Sequence, residues 1–220
     1  MNNMMRFSIF GEYEPFATSN VDKYMALIQF FSSKGFKPMT ANELKLSTNG
    51  QAQVFVMPTF LKDSNALVEI TTTRINFTLQ SPAIEQETNI KQKIFDLFYG
   101  EMKELMIDFT TKFDISSNRV AINCNILLPR QDDCVLSEIR IPDAVQTESR
   151  LRQCYRMTIN NEDCNFIIEK YNAYIPMCIT QHSYDVNTAG ENATLRFKGE
   201  SFIQMLDSMK EKVLSIKGDS

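Results

Sequence analysis

The sequence predicts an α+β fold: a mostly antiparallel or mixed β-sheet with three main helices packed on one face. Three observations predict it. Runs of alternating apolar residues recur between turn signals, as at Val120, Ile122, Cys124 and Ile126. Three longer stretches, 21–34, 89–113 and 201–214, instead repeat apolar residues every three or four positions, the helical period. Most of the strands follow one another through short turns, which disfavours a parallel sheet with regular helical crossovers.

Each element has its own signal. Residues 6–13 alternate, with Phe7 and Ile9 against Ser8. Ser19 or Asn20 is placed to cap the first helix, and Gly35 to stop it. Residues 37–50 read as a polar connection with a short strand at 43–46, ended by the Asn49–Gly50 turn. Residues 51–61 read as a strand in which Pro58 calls for an edge or a bulge. Along 66–80 the apolar parity switches between Ile70 and Ile75, so 71–74 is a bulge or a tight turn.

The central helix carries Ile94, Leu97, Phe98, Leu105, Phe109 and Phe113 on one predicted face, with Lys91, Asp96, Lys103 and Asp108 on the wet one. Gly100 interrupts it, and close approach of another backbone is the expected reason. Beyond Pro129, strands are predicted at 134–141, 151–159, 164–174, 176–180 and 193–198. Asn160–Asp163 supplies a hairpin turn, and Ser201 with Gln204 a capping box for the last helix.

The chain is expected to form one α+β domain over 1–220. A subdivision falls near 130: 1–129 as a β-α-β-β-α-β unit, and 130–220 as a β-rich unit closed by a helix. Strand-then-helix pairs at 6–34, 66–113 and 193–214 raise the idea of a duplicated β-α-β unit.

Composition narrows function more by exclusion than by signature. The chain has 220 residues, 43% of them hydrophobic and 23% charged, an ordinary balance for a globular protein. No run approaches the ~20 apolar residues of a membrane span, and residues 1–10 lack the basic start and apolar stretch of a secretion signal. A cytoplasmic location is therefore expected. Five cysteines without a CxxC pair fit reduced thiols rather than a zinc knuckle or a thioredoxin-type site. Abundant Asn, Ile and Lys point to an AT-rich coding genome, microbial or phage.

The single histidine, His182, excludes histidine-rich metal sites and reads as an exposed loop residue. Seven scattered glycines form no phosphate-cradling loop, and no cofactor is expected. What remains is a protein–protein interaction module, an oligomer or accessory subunit, with Phe30, Phe55 and Met57 as candidate interface side chains. The alternative is a carboxylate and divalent-metal hydrolase or nuclease using Asp132, Asp133 and Glu138. A second alternative is a nucleic-acid module on Arg140, Arg150, Arg152 and Arg156, against which the net charge of −4 counts.

Overall fold

The computed structural model describes residues 2–46, 52–63, 65–82, 90–129, 148–173, 179–189 and 195–216. They include β1 (Asn2–Phe10), a 3-10 turn (Glu14–Phe16), α1 (Val21–Ser33), β2 (Lys37–Leu46), β3 (Ala52–Lys62), β4 (Ala66–Ile70) and β5 (Arg74–Pro82). They continue with α2 (Ile90–Lys112), β6 (Ser116–Ser117), β7 (Arg119–Pro129), β8 (Glu148–Ile159), β9 (Glu162–Ala173), β10 (Ile179–Thr188), β11 (Phe197–Lys198) and α3 (Glu200–Leu214). The α+β class is as expected.

Nine strands make one sheet in the order β2-β3-β4-β5-β1-β7-β10-β9-β8, every neighbouring pair antiparallel. Outward from the central β1–β7 pair the strands run in descending chain order on both sides: β5, β4, β3 and then β2 on one, β10, β9, β8 on the other. β7 pairs with β1 and with β10, so the position near 130 lies between two strands of one continuous sheet. β6 and β11 form a separate two-residue pair.

Directly paired residues share a face of a sheet. The register therefore lines up Phe60, Val68, Phe77, Phe7, Ile122, Val186, Phe166 and Tyr155 as one row across eight strands. All but Tyr155 are buried. Helical aromatic rings meet this row. Phe31 of α1 stacks on Phe60 with centroids 4.3 Å apart, Phe109 of α2 lies 5.7 Å from Phe77, and Tyr99 lies 5.6 Å from Phe7. Strand residues and the buried residues of α1, α2 and α3 belong to one core.

Local chemistry explains the ends. Asn20 Oδ1 accepts from the Lys23 N–H at 3.3 Å, and Gly35, at φ 85°, takes the left-handed conformation that ends α1. Residues 71–74 are a tight turn: Thr71 N donates to Arg74 O at 2.8 Å, and Arg74 N to Thr71 Oγ1 at 2.9 Å. Asn160 and Asn161, at φ 50° and 63°, close the β8–β9 hairpin with the handedness that two-residue turns require.

Four expectations are corrected. Residues 37–46 are a full strand; β2 lies at the sheet edge and its residues are largely exposed, so no alternating apolar pattern marks it. The α3 N-cap is Gly199, while the Ser201 hydroxyl instead closes a loop with Lys198, accepting from its N–H and donating to its carbonyl. In α2 the buried face is rotated: Leu97 is 60% exposed and Lys91 only 8%. Gly100 meets nothing within 4 Å of a built Cβ, so no close approach explains it. The predicted strand at 134–141 lies outside the described residues, as do 174–178 and 190–194.

Candidate functional site

Two regions of the sheet present chemistry that the core does not use. The first is the outer end of β2 and β3. β3 pairs with β2 from Ala52 to Leu61, but with β4 only from Thr59 to Lys62. Residues 52–58 therefore run with β2 as a two-stranded ribbon. Pro58, opposite Thr40, stands where β4 pairing has stopped and a missing N–H costs no ladder bond. Three contacts hold the ribbon to the body. Glu43 accepts from Thr72 N at 2.7 Å and Thr72 Oγ1 at 2.9 Å, Thr18 N donates to Val56 O at 2.9 Å, and Lys45 is ion-paired with Glu14.

Leu44 and Val54 are direct partners on one side of this ribbon, 65% and 66% exposed, with Val56 beside them on the same side. α1, which packs against β2, adds exposed Val21 and Met25 one turn apart. Two of the candidate interface residues face the core instead. Phe30 and Met57 are buried core side chains at 5% and 1% exposure, a correction to their assignment; Phe30 packs edge-on to Phe31 at 5.0 Å. Phe55 is half-buried against the core.

The second region is the face opposite the Phe60–Tyr155 row. Rows across it read Asn76, Ser8, Ala121, Asn187, Asn165, Arg156; then Thr78, Arg6, Asn123, Asp185, Ile167, Cys154; then Gln80, Met4, Asn125, Ser183, Glu169, Arg152. Side-chain bonds knit these rows. Ser8 Oγ donates to Asn76 Oδ1 at 2.8 Å, Ser183 Oγ to Asn125 Oδ1 at 2.6 Å, and Arg119 Nη2 to Asn187 Oδ1 at 3.0 Å.

Among the described arginines, Arg6, Arg74, Arg119, Arg150, Arg152 and Arg156 all lie on this face. Three of the candidate nucleic-acid residues, Arg150, Arg152 and Arg156, line the outermost strand, β8; Arg140 is outside the described residues. Arg150 pairs with Glu169 and Arg156 with Asp163, each at 3.1 Å. Asp132, Asp133 and Glu138 also lie outside the described residues, among which no group of three metal-ligating side chains occurs.

His182 is not a loop residue. It sits on β10 facing the core, 4% exposed, paired across from Ile126 and Lys170. Its neighbours in parity, Thr180, Tyr184 and Val186, are buried too, an alternation visible in the sequence. Nearby, the Lys91 ammonium donates to Ile216 O at 2.8 Å and lies 5.1 Å over the Tyr184 ring.

A separate cleft of about 430 Å³ is lined by Tyr13, Phe16, Phe113 and Ile115 together with Glu12 and Asp114. Tyr13 Oη donates to Ser116 O at 3.3 Å, and burial holds this phenol well above its ordinary pKa. Asp114 is engaged by Lys198 at 2.7 Å. Among the described residues the cleft lining contains no histidine or cysteine.

No described helix is long and apolar enough to cross a membrane. No family model, curated protein or solved structure matches the chain.

Proposed function

We propose that the chain works by protein–protein association, as a self-associating or accessory subunit, through the β2–β3 ribbon and the outer edge of β2. The observation that carries this is the Leu44–Val54 pair, exposed on a ribbon that has no third strand among the described residues. A two-stranded hairpin alone is marginal in water, while fully burying an aliphatic side chain contributes roughly 1.5–3 kcal/mol. A partner strand on β2 would supply the missing hydrogen bonds and cover Leu44, Val54 and Val56.

The topology supports the same reading. We take the mirrored strand order about β1–β7 as the trace of a duplicated unit of four strands and a helix, with α1, α2 and α3 all covering the face of the Phe60–Tyr155 row. α1 and β2 are then an insertion between β1 and β3, where the second half has only positions 130–147. The insertion carries Val21, Met25, Met39 and Leu44, all exposed. A cytoplasmic setting goes with this reading, since Cys154 and Cys164 are free thiols.

The test is the mass of the full chain by light scattering over a range of concentrations, together with pull-down from the native extract, for the unaltered chain and for Leu44→Asp/Val54→Asp. A dimer, or a co-purifying partner, lost in the folded double variant is the expected result. A monomer with no partner, unchanged by the substitutions, overturns the proposal.

A further inference from the structure

The opposite edge of the sheet has a different chemistry. β8 is twelve residues long, pairs with β9 without a gap from Glu148–Ala173 to Ile159–Glu162, and contains neither proline nor glycine. Among the described residues no strand pairs with its outer side, which presents a row of backbone N–H and C=O groups. Natural edges of this kind are usually blunted by short length, proline, a bulge or charge. Here charge is the device present: Arg150, Arg152 and Arg156 on one side of the strand. The other side presents Leu151, Gln153 and Tyr155, with Leu151 and Tyr155 exposed.

We propose that the β8 edge docks an extended segment of a separate protein in which acidic residues alternate with apolar ones, adding it as a tenth strand. Such a strand would place its carboxylates opposite Arg150, Arg152 and Arg156 and its apolar side chains opposite Leu151 and Tyr155. Its backbone would complete the ladder, which gives affinity, while the alternating side chains give specificity.

A second copy of this chain is disfavoured in the registers centred on Cys154 and on Gln153. In an antiparallel β8–β8 pair centred on Cys154, Arg152 faces Arg156; shifted to centre on Gln153, Arg150 faces Arg156. Like charges directly opposite destabilise a strand pair. Nucleic acid fits less well than an acidic strand. A phosphate chain running over the arginine face would meet Glu69, Asp163, Glu169 and Asp185, which share that face. An added strand meets β8 alone. Arg152 has no ion pair among the described residues, so a carboxylate there displaces no existing ion pair of Arg152.

The test titrates the full chain with a fluorescent twelve-residue peptide alternating glutamate with valine and threonine, read by anisotropy. A lysine-for-glutamate peptide, an N-methylated version of the acidic peptide and a twenty-nucleotide single-stranded DNA are titrated alongside. The acidic peptide is expected to bind, the N-methylated one not. Arg152→Gln should weaken binding several-fold, and Arg150→Glu/Arg152→Glu/Arg156→Glu should weaken it at least ~10-fold while admitting the lysine peptide. Circular dichroism establishes that both variants fold; because Arg152 has no ion pair to lose, R152Q keeps the test decisive if the triple variant does not.

Failure of the acidic peptide to bind at millimolar concentration overturns the proposal and leaves the arginines as guards of the edge. So does binding indifferent to N-methylation or to the arginine changes, or tighter binding of the DNA. A Cys154–Cys154 cross-link forming readily in the folded protein would also overturn it, since it would place a second copy on this edge. The ribbon substitutions do not touch β8, so the two proposals fail independently.

Discussion

The Tyr99 hydroxyl donates to Asp207 Oδ1 at 2.6 Å, and Lys103 Nζ reaches both oxygens of the same carboxylate at 2.8 Å. One acid on α3 thus holds two side chains of α2. Hydrogen bonds to a charged group contribute roughly 1.5–3 kcal/mol when well buried. Lys103 and Asp207 are partly exposed, which lowers that figure. Asp207→Ala is expected to cost about 1–2 kcal/mol in urea unfolding, and Tyr99→Phe less. An Asp207→Ala variant as stable as the parent would show that the two helices are held by apolar contact alone.

Gly100 offers a gain. It lies within α2, is exposed, and has open space where a side chain would go. Alanine in a helix interior is favoured over glycine by ~0.8–1 kcal/mol. Gly100→Ala should raise the unfolding free energy by about that much with no change in the denaturant slope. A loss of stability would mean that the helix needs its glycine for bending.

Stability should fall in alkali, and one thiol should begin the fall. Burial, with Glu162 adding to it, pushes Cys164 up to about 11. An unfolded thiol titrates near ~8.5, so above that pH the unfolded chain binds fewer protons than the native one. Its contribution is complete below ~8.5 and is lost as pH rises through the native value. Tyr13 and Tyr99, both raised chiefly by burial, deepen the loss above pH ~10. Urea midpoints measured from pH 8 to 11 should decline, and in Cys164→Ala the first part of that decline should flatten. An unchanged profile would remove the thiol from the account. Mild alkylation at pH 8 should label exposed Cys154 well before Cys124 or Cys164, as peptide mapping would report.

The β8–β9 turn separates two roles of asparagine. Asn161 supplies only a left-handed backbone, which glycine adopts without strain. Asn161→Gly should be neutral or stabilising by a few tenths of a kcal/mol. Asn160 also donates from Nδ2 to Ser208 Oγ at 2.9 Å and to Gln204 O at 3.3 Å, fastening the turn to α3. Asn160→Gly keeps the backbone and loses those bonds. It should lower the thermal midpoint where Asn161→Gly does not; equal effects would mean that the link to α3 contributes nothing.

What could be read from the residues follows the strength of the local physics. The Asn160–Asp163 turn, the Asn20 cap and the parity break at 71–74 are short-range signals, and each marks a real boundary. β2 escaped because it is an edge strand: KPMTANELKL buries too little on either side to show a period of two. The α2 face was misjudged at Leu97 and Lys91 because the stripe follows α2's packing on β1 and β5 and near α3, whereas sequence hydropathy alone placed the leucine inside and the lysine out. His182 was misread through the polarity of Gln181 and Ser183, although Thr180, His182, Tyr184 and Val186 keep strict alternation. The ribbon region was partly legible through Pro58 and Phe55, but the exposed Leu44–Val54 pair was not. No pattern in sequence reveals that β4 stops pairing at Thr59. The alignment of six arginines on one face depends on the register of six strands and was legible only for Arg150, Arg152 and Arg156, two or four residues apart on one strand.

The central position of β1 has a consequence for how the chain is assembled. Its two neighbours in the sheet arrive at very different times: Asn3 meets Ser81 in β5, and Met4 meets Asn125 in β7. Once β5 has been made, β1 can join β3, β4 and β5, but its other side stays bare until β7 emerges more than thirty residues later. During synthesis the middle of the finished sheet is thus, for a time, its most exposed border, and the moment of greatest risk of pairing with the wrong chain falls while α2 is being made.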